Sequence, residues 1–263
     1  QIEIVIESNS VHGVTLTGSE GAGSSVAALA GKHIKKTVME LGGSDAFIVL
    51  NDANLEKAAE VAAHSRMLNA GQACICAKRF IVTEKVADEF VSLFSKNIQA
   101  LQQGDPLKKG IQLGPLARLD LAKTLANQLE KSLKQGAKLI VGGEHENCNF
   151  QPTLIDFVAV DSVAFQEETF GPLAAVIRAK DENDAVAIAN NHRYGLAAAI
   201  WTEDRKKAYK LARNIEAGNV FVNSLVRSDS RVPFGGVKKS GYGRELGAVG
   251  IKEFMNMKSL VIE

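Results

Sequence analysis

The chain has 263 residues, 46% of them hydrophobic and 23% charged, and its 31 Lys and Arg against 30 Asp and Glu leave a net charge of +1. That balance excludes a strongly basic nucleic-acid binder and an acidic disordered tail. No run approaches the roughly 20 apolar residues of a membrane span, and nothing at the start reads as a signal peptide. Three cysteines are too few, and odd in number, for a disulfide scaffold, which predicts reduced thiols in a cytoplasmic protein. The first residue is Gln1, an unusual start that predicts a piece of a longer polypeptide.

Short apolar runs alternate with helical patterns along the chain. Ile2 to Ile6 reads as a strand by its β-branching, and Val14–Thr17 as another. After the turn 18–23, the small residues Ser24 to Ala30 predict a buried helix. Lys36–Leu41 and Ala46–Leu50 read as strands, and Asp52 is placed to cap a helix over 55–68. Then follow a strand over 79–82, a helix over 86–101 with Phe90, Leu93, Phe94 and Ile98 on one stripe, a helix over 118–135, and a strand over 138–141. Leu173–Ile177 and Leu196–Trp201 are strands, with a helix over 181–190 between them. A helix over 204–215 and a strand over 219–222 follow. Met257–Ile262 is apolar enough for a closing strand able to pair with another chain. The alternation predicts an α/β fold with a mostly parallel twisted sheet flanked by helices.

Cys74 lies between the helix ending near Leu68 and the strand that starts after Lys78, on a connection of the kind that often carries catalytic groups. From residue type alone a buried inert thiol is the commoner outcome. The pattern Gln72-x-Cys74-x-Cys76 is also half of a metal site, but Cys148 and five scattered His supply no matching ligands, so no metal is expected. Glu40 closes an apolar strand before Gly42-Gly43, where a carboxylate either points into a cleft or is simply solvated. Paired with a cysteine, it suits hydrolysis of a thioester by activated water. The loop 17–23 follows a strand and opens a helix, the geometry of a phosphate site or of a plain βα turn. Cys76 allows a disulfide to Cys74 on oxidation, or a packing role.

Taken together and in order, these pieces resemble the aldehyde dehydrogenase superfamily: Thr17-Gly18-Ser19, Glu40-Leu41-Gly42-Gly43, Gly71-Gln72-Ala73-Cys74, Glu168-Thr169-Phe170-Gly171-Pro172, Tyr194-Gly195-Leu196, and the run from Pro233 to Glu245. Glu40-Leu41-Gly42-Gly43-Ser44-Asp45, Ala117–Leu121 and Ser228–Arg231 are similar to bacterial succinate-semialdehyde dehydrogenases. The resemblance covers about the C-terminal half of such an enzyme. It implies the end of a dinucleotide-binding domain over 1–42, a catalytic domain over 43–239, and a tail over 240–263 whose strand pairs across subunits of a homo-oligomer. It also implies a helix at Ile2–Ile6, against the β-branched reading.

The resemblance further implies Cys74 as nucleophile and Glu40 as the base that activates water, with NAD or NADP as cofactor. Gly18 and Ser19 would face the pyrophosphate, Leu41 and Gly42 would approach the nicotinamide, Glu168 would hold its ribose and Phe170 would pack nearby. Arg227 and Ser228 fall on the loop lining the aldehyde tunnel. A cation there suits a substrate carrying a carboxylate, such as succinic semialdehyde, or is a surface charge. No nucleic-acid or membrane partner is expected. The alternatives are a dehydrogenase for another semialdehyde or a neutral aldehyde, and a catalytically silent folded domain that keeps only its assembly surface.

Overall fold

The computed structural model describes residues 2–263; Gln1, the first residue of the expected 1–42 unit, lies outside them. In chain order the elements are α1 (Ile2–Glu7), β1 (Gly13–Thr17), α2 (Glu20–Lys32), β2 (Lys36–Glu40), β3 (Asp45–Val49), α3 (Leu55–Met67), β4 (Ala77–Thr83), α4 (Glu84–Gln99), α5 (Leu119–Lys134) and β5 (Lys138–Val141). The hairpin β6 (His145–Glu146) and β7 (Asn149–Phe150) leads to β8 (Thr153–Asp156), α6 (Val163–Gln166), β9 (Leu173–Ala179) and α7 (Glu182–Asn190). The chain closes with β10 (Tyr194–Gly195), β11 (Ala197–Trp201), α8 (Arg205–Ala212), β12 (Asn219–Val222), β13 (Val237–Lys238), β14 (Gly241–Tyr242) and α9 (Gly247–Lys252).

The main sheet runs β12-β11-β3-β4-β9-β8-β5. Every neighbouring pair is parallel except β8 and β5. Its middle strands β3, β4 and β11 are buried at every position, as a parallel sheet covered on both faces requires. The aromatic stripe of α4 packs on it, with Phe94 4.7 Å from Phe80 between ring centroids, and Trp201 stacks on Phe47 at 5.6 Å. A second sheet holds β1, β2 and β14, with β2 parallel to β1 and antiparallel to β14. The chain crosses between the two sheets at Leu41–Ser44. Among the described residues no helix is long and apolar enough to cross a membrane.

Local corrections follow from caps and partners. Ile2–Glu7 is a helix, not a strand: Ile6 is buried, and the Lys35 ammonium takes the Ile6 and Ser8 carbonyls at its C-terminal end. α2 starts at Glu20 because Ser19 caps it, its hydroxyl accepting the Ala22 N–H at 3.3 Å. Within α2 only Gly23 and Ala30 are buried, so the expected buried helix is a largely open one. Asn54, not Asp52, caps α3; the Asp52 carboxylate instead accepts the Thr202 hydroxyl at 2.8 Å. No strand forms over 257–262 within this chain, where Met257, Leu260, Val261 and Ile262 are exposed.

β14 closes the second sheet by pairing Gly241 with Glu40. Gly241 has φ +112°, and a Cβ there would overlap the Met39 carbonyl. Gly241→Ala is therefore expected to destabilise the fold by at least about 1–3 kcal/mol, read as a lower urea midpoint. Gly31→Ala, on the open face of α2 with nothing within 4 Å, is expected to be neutral or slightly stabilising in the same assay.

Candidate active site

The Cys74 loop joins α3 to β4. A tight turn over Leu68–Gly71 places Asn69, Ala70 and Gly71 at φ +50°, +54° and +72°. Two of these are not glycine, a conformation that costs about 1–3 kcal/mol per residue and persists only when neighbours impose it. Arg66 imposes it. Its fully buried guanidinium donates to the carbonyls of Thr169 at 2.8 Å, Ala77 at 3.2 Å and Gly171. The turn is thereby tied to the segment 169–171. Gln72 anchors the other side, its Oε1 accepting the Ala117 N–H at 2.8 Å. Cys74 is half-buried, and burial pushes its thiol up from the ordinary range. Cys76 is fully buried, its thiol donating to the Leu68 carbonyl at 3.3 Å, and both thiols are free.

Glu40 ends β2 at the carboxyl ends of two parallel strands, where the Gly18 N–H donates to its carbonyl at 3.0 Å. Ser240 holds the next turn. Its carbonyl accepts the Leu41 N–H at 3.0 Å, and its hydroxyl donates to the Gly42 carbonyl at 2.7 Å while accepting the Gly195 N–H at 3.0 Å. The Glu40 side chain is buried, and Oε1 has no hydrogen-bond partner among the described residues. Burial, reinforced by the Glu245 carboxylate, lifts its pKa to about 7, against the opposing pull of Arg244 and the Gly236 N–H.

The two groups meet on one loop. Phe234, with Leu196, Ala197 and Val226, forms a small apolar cluster against which Cys74 and Ile75 pack. One residue on, a Cβ at Gly235 would lie 2.8 Å from Glu40 Oε1. The Glu40 charge also acts directly on the Cys74 thiol. Residues 34 positions apart in sequence are thus brought to the same segment of chain, one against the cluster that holds Phe234 and the other beside Gly235.

The remaining sites predicted from sequence fall around this pair. Gly18 and Ser19 lie at the N-terminus of α2, beside Glu40. Next to them is a cleft of about 260 Å³ bordered by Glu20, Leu41, Lys239 and Tyr242. Glu168 reaches inward. Its Oε1 accepts the Gly43 N–H at 3.1 Å and pairs with Lys78 at 3.4 Å, while Oε2 occupies the space a Cβ at Gly42 would need. Phe170 is exposed. Arg227 and Ser228 are exposed on the segment that follows the buried Val226, hence next to the apolar cluster but not within it.

Sequence reasoning passed over four residues. Arg66 sits on the buried face of α3, and Lys78 and Arg79 are charged residues at the start of an otherwise apolar strand. Asp45 is fully buried at the start of β3, with Oδ1 accepting the Ala197 N–H at 3.0 Å. Burial lifts its carboxyl to about 7 despite Lys78 and Arg79. The signal that could have found them is a charge at a position whose periodicity demands an apolar side chain.

A half-buried thiol and a buried carboxylate set against one segment of chain suit covalent chemistry at a carbonyl carbon. The comparison with known proteins agrees: residues 2–260 match the sequence model of the aldehyde dehydrogenase family, and the chain belongs to that family. Among its relatives, the succinate-semialdehyde dehydrogenase (NADP(+)) of Deinococcus radiodurans is 46% identical over 260 residues, which cover 98% of this chain and 54% of that protein. The succinate semialdehyde dehydrogenase (NAD(P)+) of Escherichia coli K12 is also 46% identical, over 97% of this chain and 56% of its own length. A crystal structure of succinic semialdehyde dehydrogenase from Streptococcus pyogenes in complex with NADP+ superposes with a TM-score of 0.96 at 40% identity, covering 100% of this chain and 58% of that one. The chain thus spans a little over half the length of the relatives it matches.

Proposed function

We propose that the protein containing this chain oxidises an aldehyde, succinic semialdehyde by preference, to its carboxylate with NAD or NADP. The observation that carries this reading is the meeting of Cys74 and a Glu40 poised near neutrality at the Phe234–Gly236 turn. The names of the relatives support the substrate and the cofactor.

In this reading the Cys74 thiolate adds to the aldehyde carbon. The main-chain N–H of Cys74 donates to no acceptor among the described residues, which leaves it free for the oxyanion, a contact worth about 3 kcal/mol. A bound nicotinamide supplies the acceptor for the hydride that leaves this carbon. What stays on Cys74 is a thioester. Glu40 takes a proton from water, the hydroxide attacks the thioester, and the carboxylate departs as the Cys74 thiolate is restored.

The residues present fit such a cofactor. The cleft adjoins the N-terminus of α2, where Arg193 at 2.8 Å and Lys239 at 3.6 Å are held by Glu20, so cations stand ready near a phosphate position. The bare backbone at Gly42 lets the Glu168 carboxylate approach the same corner. Residues 1–42 would then close the cofactor side, residues 43–239 would form the catalytic unit, and the exposed apolar tail would pair with a second copy.

Arg227 carries the substrate preference in this reading. Its neighbour Asp229 is held by Arg231 at 2.6 Å, which leaves the Arg227 guanidinium without an ion-pair partner among the described residues. In the protein containing this chain, Arg227→Ala is expected to raise KM for succinic semialdehyde at least about tenfold, the worth of one charge-assisted contact, and to leave KM for butanal unchanged. Equal effects on both aldehydes would remove the carboxylate from the proposal, and no NAD(P)-linked oxidation of any aldehyde would remove the function.

A further inference from the structure

Lys78 is a lysine with no exposed surface, four residues beyond the thiol. Its ammonium lies 3.2 Å from the Ala73 carbonyl, 3.0 Å from that of Cys74 and 3.3 Å from that of Cys76, and 3.4 Å from Glu168 Oε1. An ammonium has three protons to donate, and this ring of oxygens accepts them. The other buried cations look elsewhere. Arg66 is spent on Thr169, Gly171 and Ala77, and Arg79 donates to Ser44 at 2.8 Å and to Ile188 and Ala189. The charges that face Cys74 come from four elements: Glu40 from β2, Asp45 from β3, Glu168 from the segment before β9, and Lys78 from β4. Three of the four are carboxylates. A thiolate would therefore form in a negative, half-buried setting, with one cation to offset it.

We propose that Lys78 is the positioning residue of the nucleophile: it clamps the Cys74 loop through three carbonyls and supplies the positive charge that sustains the Cys74 thiolate. This rests on Cys74 being the reactive thiol. It makes Glu168 a counterweight, since the same ammonium pairs with that carboxylate. A carboxylate drawn closer to Lys78 weakens its support of the thiolate, and one drawn away strengthens it.

Alkylation of Cys74 by iodoacetamide against pH tests this without cofactor or substrate, with fragment-ion mass spectrometry assigning the label to Cys74 rather than Cys76. The midpoint of the profile reads charge, and the limiting rate at high pH reads geometry. Lys78→Met is expected to raise the midpoint by about one pH unit, a tenfold slower reaction near neutrality, with the high-pH limit retained within a few-fold. Lys78→Arg is expected to keep the midpoint close to that of the parent. Because Lys78→Met takes the cation from the half-buried Glu168 and the donor from three carbonyls, the variant can fail to fold. The comparison of Glu168→Gln with the double variant Lys78→Met/Glu168→Gln removes that strain while still isolating the ammonium. The double variant is expected to have the higher midpoint by the same unit. Equal midpoints in that pair overturn the charge role, and a loss confined to the high-pH limit reduces Lys78 to a backbone clamp. A wild-type Cys74 that resists alkylation at every pH would instead count against the reading of Cys74 as nucleophile.

Discussion

Cys74→Ala is expected to abolish aldehyde oxidation in the protein containing this chain, with a fall in turnover of at least about 10⁴-fold. The loss is chemical rather than structural. Cys74 is half-buried at the edge of the small cluster of Leu196, Ala197, Val226 and Phe234, so removing one sulfur leaves the core of the main sheet untouched. The thermal midpoint should move by only a degree or two, because a partly exposed small side chain contributes little burial. Cys148→Ser, on the turn between β6 and β7, is expected to leave turnover unchanged. Substantial oxidation by Cys74→Ala would transfer the chemistry to some other group.

Glu40→Gln is expected to separate the two halves of the reaction. The first turnover survives because thiol addition and hydride loss do not need the carboxylate. Later turnovers slow by about 10²–10⁴-fold because water is no longer activated. Rapid mixing should show a burst of about one NAD(P)H per site followed by a slow steady state, the kinetic fingerprint of an accumulating acyl-enzyme. With its pKa lifted to about 7 by burial, Glu40 is largely protonated below that pH and cannot take a proton. Wild-type deacylation should therefore rise with pH through about 7 and level off above it, and Glu40→Gln should lose that limb. The same shift carries a stability cost. A carboxyl whose pKa is raised on folding binds its proton more tightly in the native state, so its contribution is favourable below its unfolded value near 4.5 and is lost as pH rises towards 7. Glu40→Gln should accordingly be more resistant to urea than the parent above pH 7.

Much of the frame was readable from residue patterns because the strands of a parallel sheet are apolar throughout and the helices between them carry one apolar stripe. Phe90, Phe94 and Ile98 on α4, and the uniformly buried β3, β4 and β11, obey both rules. Cys74 and Glu40 were singled out by their motifs, and the fold brings both against the segment around Phe234 and Gly235. Their companions were hidden for a physical reason: Arg66, Lys78 and Arg79 are buried cations whose partners are chiefly backbone carbonyls, and a carbonyl leaves no mark on a sequence. Misread segments share another cause. Ile2–Glu7 is held as a helix by a lysine 29 positions beyond Ile6, and α2 is held open by the absence of apolar partners over most of its surface. Asp52 lost the cap of α3 to Asn54, a neighbour of equal aptitude two residues closer to the helix.

Glu40 stands in its pocket through groups supplied almost 200 residues later, at Gly235, Gly236, Ser240, Gly241, Arg244 and Glu245. During synthesis Glu40 and Cys74 emerge long before the residues that surround the Glu40 carboxylate. Until residues 235–245 emerge, the nascent chain carries the Glu40 carboxylate without its surroundings, and its second sheet lacks an edge strand. Such late, long-range closure slows folding and lengthens the exposure of apolar surface. Synthesis in the cell should therefore depend on chaperones to a degree that the regular main sheet alone would not demand.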